Sequence, residues 1–289
     1  MDTMIALNGE KPPQVKEKIS GVGMIRGEYL FRKIEKYILL PEAKEFVKNY
    51  LTNVCQYYAD NEVWYRTSEF VPQEINVLEG ADHIFDEKHY ILGMRGIRRS
   101  LKFQEAFQEE LRVVREVSVN NSNLNILLPY VKDVDELDES LSIINHIGCK
   151  CKIGIMFEIP SLFFCLDELL KRDICNITFG INDLTMLLLG TYRGSDYHNP
   201  NHSTVLRLIQ DAVAKIRKIR PDIEINIAGY ISKEFYTNVQ KFNIDNIIIH
   251  YKDLPDIFNI DLKDLPDINL VSDIKILTKS RIKERETGK

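Results

Sequence analysis

The sequence predicts an α/β fold, a single (β/α)8 TIM barrel, on two observations. Short β-type runs alternate with helical stretches eight times over roughly 240 residues, and a mean repeat of about thirty residues is what such a barrel requires. Several runs, INIAGYI and NIIIH among them, are almost continuously apolar, as strands buried on both faces of a parallel sheet are. A doubly wound open sheet is the alternative. It is weakened because Gly21-Val22-Gly23 is only a fragment of the GxGxxG turn that follows the first strand of such sheets.

The eight runs are Ile19–Ile25, Val63–Arg66, Ile91–Gly96, Leu124–Tyr130, Lys152–Ile159, Asn176–Ile181, Glu224–Ile231 and Asn246–His250. Helices are expected over Pro41–Ala59, where Pro41 suits a first helical turn, and over Phe103–Val117, Asp135–Ile147, Ser161–Lys171 and Thr204–Ile219. These limits give a lead-in over residues 1–18, the barrel over 19–260 and a C-terminal extension over 261–289. The string DLPDI occurs at Asp253–Ile257 and again at Asp264–Ile268. Two copies do not make a solenoid, so they are read as two turn-and-cap segments. The charged stretch Lys279–Lys289 is expected to fray.

Composition narrows the function classes. Hydrophobic residues make up 44% and charged residues 28% of the 289 positions, which excludes a wholly disordered chain. With 38 Lys+Arg against 43 Asp+Glu the net charge is -5, which argues against a whole-molecule grip on nucleic acid. No apolar run reaches the roughly 18 residues of a membrane-spanning helix. No signal-like start is visible over residues 1–13. The five cysteines are Cys55, Cys149, Cys151, Cys165 and Cys175, with no CxxC pair. That pattern reads as reduced thiols in a cytoplasmic protein.

Barrel enzymes carry their reacting groups where strands end at the C-terminal face. The first run ends in Arg26, followed by Glu28. The second ends in Arg66, with Glu69 and Glu74 beyond, and the third carries Arg95 before Arg98 and Arg99. The fifth ends in Glu158 and the sixth in Asn182 and Asp183, with Arg193 ten residues later. Arginine presents a fixed fork of donors to phosphate or carboxylate. Two carboxylates with open positions suit Mg²⁺ or Mn²⁺. Together they suit a small, highly charged anion and charge moving through a phosphoryl group or an enolate. Taken singly, each Arg or Glu has a structural reading as a solvated or salt-bridged residue, and Asn182-Asp183 reads equally as a helix N-cap.

The order of motifs adds a resemblance. GVGMIRGEYLF (Gly21–Phe31) resembles GIGLxRTEFLF, YRTSEFVPQE (Tyr65–Glu74) is similar to VRLSDFKSNE, and ILGMRGIRRS (Ile91–Ser100) is similar to MLGFRGASRY. NILLPYVKDVDEL (Asn125–Leu137) follows an I-M-x-P-x-V segment. IGIMFEIPS (Ile153–Ser161) matches M-x-E-x-P-S, and FGINDLTMLLLGTYRG (Phe179–Gly194) matches S-I-G-T-N-D-L-T-Q-x-x-L-x-x-D-R. These motifs belong to the phosphoenolpyruvate-binding barrel of phosphoenolpyruvate synthase, pyruvate phosphate dikinase and enzyme I of the sugar phosphotransferase system. The resemblance runs from about Gly21 to Lys252. It implies a phosphoenolpyruvate/pyruvate-type barrel in which Glu158 and Asp183 hold Mg²⁺ or Mn²⁺. Arg26, Arg66, Arg95 and Arg193 would clamp phosphoenolpyruvate, and Asn182 would hydrogen-bond the transferring phosphoryl group. It also implies a homodimer.

Three departures stand against the pattern. The family's C-G-E or C-G-Q, whose Cys protonates the enolate carbon, is here Ala228-Gly229-Tyr230. Alanine cannot transfer a proton, and a tyrosine with a reference pKa near 10 is poorly matched to the task. None of the six histidines sits in a T-x-H or C-H-A loop, and His198 and His202, four apart, lie in a loop-like segment. No GxxxxGK[ST] motif is present. Tyr192 and Met186 replace the family's Asp and Gln. The leading expectation is a phosphotransferase using Mg²⁺, with a separate phosphohistidine or ATP-grasp protein as partner. The others are a non-catalytic binding or regulatory homologue, and a metal-dependent 2-oxo acid lyase or aldolase. Neither nucleic acid nor membrane is an expected partner.

Overall fold

The computed structural model describes residues 1–81 and 92–287. Among these, eight parallel strands close into a barrel in sequence order. They are β1 (Asp2–Leu7), β2 (Val22–Arg26), β3 (Val63–Arg66), β4 (Leu124–Leu128), β5 (Ile153–Phe157), β6 (Asn176–Gly180), β7 (Glu224–Ala228) and β8 (Asn246–His250). β8 pairs with β1, Ala6 standing opposite His250, so the sheet has no free edge.

The helices between and around the strands are α1 (Gly27–Ile34), α2 (Pro41–Tyr57), α3 (Pro72–Ile75), α4 (Gly96–Lys102), α5 (Gln104–Ser118) and α6 (Val134–Ile147). They continue as α7 (Leu166–Leu169), α8 (Ile181–Leu189), α9 (Ser203–Ile219), α10 (Lys233–Val239), α11 (Leu254–Phe258) and α12 (Leu270–Thr287). Pro41 opens α2, Asp133 caps α6 by accepting from Glu136 N, and Gly148 closes it in the left-handed region.

The period-two alternation of the strands sorts side chains into two cores. Ile5, Ile25, Tyr65, Ile126, Phe157, Phe179, Ile227 and Ile249 face the helices and join the large outer core. Met4, Ala6, Met24, Trp64, Leu127, Met156, Ala228 and Ile248 fill the interior of the barrel. Beneath them, towards the strand N-termini, the interior turns polar. Asn176 Nδ2 and Asn226 Nδ2 donate to Glu224 Oε1 at 2.8 and 2.6 Å, and Asn246 Nδ2 donates to Asn226 Oδ1 at 2.9 Å.

Four expectations need correction. The first strand is Asp2–Leu7, inside the stretch read as a lead-in; its burial pattern rises to four buried residues, so it behaves as a barrel strand. The run Ile91–Gly96 begins outside the described residues, and its described part forms a turn and then opens α4 at Gly96. The strand beside β3 is β4. The helix expected over Ser161–Lys171 is instead a 3₁₀ turn at Pro160–Phe163 followed by the single turn of α7. Finally, the charged tail does not fray at Lys279. α12 runs to Thr287 because Ile274 and Thr278, four apart, are buried, and Thr278 Oγ1 accepts from Arg32 Nε at 3.1 Å. Arg281 also pairs with Glu35 at 2.7 Å. Among the described residues no helix is long and apolar enough to cross a membrane, and all five cysteines are unpaired.

Candidate active site

Continuing each strand's alternation one step above the apolar interior places a ring of polar residues at the C-terminal mouth. After Met24 comes Arg26, after Trp64 comes Arg66, after Met156 comes Glu158, and after Ile248 comes His250. These four line a cavity of about 480 Å³ with Glu28, Glu69, Arg95, Asn182, Asp183 and Arg193. Met24, Met156 and Ala228 contribute its apolar wall. All seven residues singled out in the sequence, Arg26, Arg66, Arg95, Glu158, Asn182, Asp183 and Arg193, are thus brought together.

Local backbone features aim the side chains. Gly180, which ends β6, carries no Cβ, and one there would stand 2.5 Å from the Glu158 carboxylate. Gly96 has φ +57, and a Cβ there would stand 2.4 Å from Cβ of Tyr130, so glycine is required directly after Arg95. Tyr130 itself has φ +58, a strained position for a bulky residue. That conformation lets its N–H donate to Glu158 Oε2 at 3.0 Å, while its ring lies 4.3 Å from the Arg95 guanidinium.

The charges form an interlocked set. Arg66 pairs with Glu28 at 2.5 Å and with Glu69 at 2.6 Å. Arg95 also pairs with Glu69, and reaches Asp183 at 3.2 Å. Arg193, half-exposed, pairs with Asp183 as well. Arg26 Nε donates to Asn8 Oδ1, just past the end of β1, and its guanidinium lies 4.4 Å from the Tyr29 ring. Among the described residues Arg66 Nε is a buried donor with no hydrogen-bond partner. The side chain that carries it lines the cavity, and a buried guanidinium donor left unsatisfied is uncommon.

The carboxylates divide into two kinds. Burial works against the charge of Glu69, but Arg95 and Arg66 override it and hold its carboxyl below the usual range. For Glu158, burial comes first, Glu69 and Asp183 add like-charge repulsion, and the arginines do not offset them, so it is pushed up to about 8. A divalent cation with oxygen ligands beside Glu158 would favour its ionised form. Among the described residues no group of three or more His, Cys, Asp or Glu side chains could hold a metal. Glu158 and Asp183 are two oxygen donors in one cavity wall, a set that would hold a divalent cation only with water or substrate oxygens completing its shell. His198 and His202 do not assemble such a site: His202 Nδ1 accepts from Thr204 N at 3.2 Å and caps α9.

Several residues at the mouth carry no signal in the sequence. Asn8, which accepts from Arg26, follows β1, a strand at the start of the sequence with no turn signal to set it off. His250 ends the continuously apolar run NIIIH, whose pattern does not tell which face it takes; the structure turns it into the cavity. Lys275 lines the cavity from α12, which no periodicity pointed to. Tyr230, by contrast, is 61% exposed and is not among the residues lining the cavity.

The sequence profile described as "PEP-utilising enzyme, PEP-binding domain" matches residues 2–255, and the chain belongs to this family. It is 28% identical over 248 residues to the phosphoenolpyruvate synthase of Pyrococcus furiosus, covering 78% of this chain and 30% of that protein. It is 31% identical over 229 residues to a protein of Escherichia coli K12 named "Phosphoenolpyruvate-dependent phosphotransferase system", covering 71% and 29%. The chain thus spans about 30% of the length of these curated relatives. A solved HpcH/Hpal aldolase/citrate lyase family protein from Burkholderia cenocepacia J2315 superimposes with a TM-score of 0.51 at 10% identity, covering 86% of this chain and 88% of that one. That likeness concerns the barrel alone.

Proposed function

We propose that this barrel binds phosphoenolpyruvate and pyruvate and performs Mg²⁺-dependent enolate and phosphoryl-transfer chemistry, exchanging the phosphoryl group with a histidine on a separate protein. The observation that carries the proposal is the juxtaposition in one cavity of four arginines, one with a buried unpartnered Nε, and the Glu158–Asp183 carboxylate pair. In this reading Glu158 and Asp183 hold the cation, and Mn²⁺ serves as well. Bound there, the cation supplies neutralisation of charge developing on the enolate oxygen. Arg26, Arg66, Arg95 and Arg193 bind the phosphate and carboxylate of the substrate and orient the transferring group. Arg95 and Arg193 exchange their carboxylate partners for substrate oxygens. Asn182, beside the metal pair in the first turn of α8, donates to the phosphoryl group. A phosphohistidine or ATP-grasp partner supplied in trans, a homodimeric barrel and a cytoplasmic setting complete the reading.

A second reading follows from Ala228, which lies in the cavity wall where the family carries its acid. The chain would then be a binding protein without turnover. Calorimetry with phosphoenolpyruvate, pyruvate and oxalate, each with and without Mg²⁺, tests the first reading. Oxalate mimics the pyruvate enolate, so it should bind tightly only with metal. Metal-independent binding, or none, would contradict the proposal.

A further inference from the structure

Resting on the enolate reading of the mouth, we infer that His250 moves the proton at the substrate's methyl carbon, from the strand next to the one that lost its acid. Ala228 has no transferable proton, and exposed Tyr230 is not among the cavity-lining residues. On β8, Ile248 stands opposite Ala228 and belongs to the barrel interior. His250, two residues nearer the mouth, therefore faces inward, and it lines the same cavity as Ala228 and Gly229.

The surroundings suit a base that starts neutral. Burial, then Arg26 on β2, Lys252 just after β8, Lys275 on α12 and Arg66 on β3 push the imidazole down to about 3 in the free chain. Among the described residues no carboxylate hydrogen-bonds or ion-pairs with it. The imidazole is therefore neutral near neutral pH, with a lone pair free to accept a proton.

The step balances without a further reactant. The lone pair of the neutral imidazole takes a proton from the methyl group of pyruvate. The C–H electron pair becomes the new carbon–carbon double bond, and the carbonyl π electrons move to oxygen. In reverse, the imidazolium returns a proton to that carbon. In D₂O the imidazolium N–H exchanges with solvent, so the methyl group becomes deuterated.

The test follows deuterium exchange into pyruvate by NMR, with Mg²⁺, for the parent, His250→Ala and His250→Gln. Oxalate calorimetry is run on each protein. The parent should exchange, and both variants should slow by about 10²–10⁴-fold, the usual worth of a positioned acid–base group, with Mg²⁺-dependent oxalate affinity retained. Free imidazole should restore part of the rate in His250→Ala, an effect a structural role would not give. Variants that exchange like the parent, or a parent that binds oxalate without exchanging, would overturn the role of His250. A parent that fails to bind oxalate with Mg²⁺ would overturn the enolate reading itself.

Discussion

At the N-terminal end of the barrel the buried inward residues are mostly amides, Asn176, Asn226 and Asn246, and two of them share the one Glu224 carboxylate. At the C-terminal end the inward residues are Arg26, Arg66, Glu158 and His250, with Glu28, Glu69, Arg95 and Asp183 pressed against them. The same alternation of the same strands builds both ends. The lower end satisfies its donors with neighbouring acceptors and turns polarity into rigidity. The upper end leaves Arg66 Nε without a partner and drives Glu158 up to about 8. Unresolved charge is what a ligand can bind to, so function is assigned to the upper end and stability to the lower.

If that division is right, substitutions at the two ends should separate binding from folding. The largest effect is expected at the proposed metal pair. Glu158→Gln or Asp183→Ala should abolish Mg²⁺-dependent oxalate binding in calorimetry while thermal unfolding shows a folded protein, with Asp183→Ala the less stable because it removes a carboxylate partner of Arg95 and Arg193. Oxalate binding as in the parent would break the assignment. Next comes Arg66→Met, which strands Glu28 as an uncompensated buried carboxylate and leaves Glu69 with Arg95 alone. Removing one partner of a buried pair costs about 3–5 kcal/mol, measurable by urea unfolding, and this variant should lose binding as well.

Asn226→Ala sharpens the comparison from below. It deprives Asn246 of its acceptor and Glu224 of a donor, a cost of about 1–3 kcal/mol, yet it should leave oxalate affinity as it is. A loss of affinity would mean that the two ends are not separable. A further contrast concerns pH. Glu158 titrates at about 8 in the metal-free folded chain, against an ordinary value of 4.5. Between those values the folded chain keeps a proton that the unfolded chain has released. Its stability contribution is therefore complete below 4.5 and is lost as pH rises through about 8. Urea midpoints measured across this window should fall with pH in the parent, and less steeply in Glu158→Gln.

Much of this was legible in the sequence because the fold obeys a short rule. Continuous apolar runs mark strands, and the polar residue ending each run marks the mouth. Arg26, Arg66 and Glu158 sit at such ends, and the structure gathers them. The rule failed where a run's setting rather than its content decides. Asp2–Leu7 looks like the start of a chain until β8 is seen to need a partner. The apolar ILGM of Ile91–Gly96 looks like a strand, but its described residues make a turn that delivers Arg95. The tail reads as charged and loose because only Ile274 and Thr278 of its last helix are buried, too few for a periodic signal. His250 was visible as a run's last residue, yet only the register against Ala228 and Ala6 shows which way it faces.

The most direct measurement is an anomalous difference map from crystals grown with Mn²⁺ and oxalate. A single strong peak is expected between the carboxylates of Glu158 and Asp183, with oxalate joining the metal's ligands and Arg66 turned towards it. A map without density there, or with Mn²⁺ held elsewhere on the chain, would contradict that expectation.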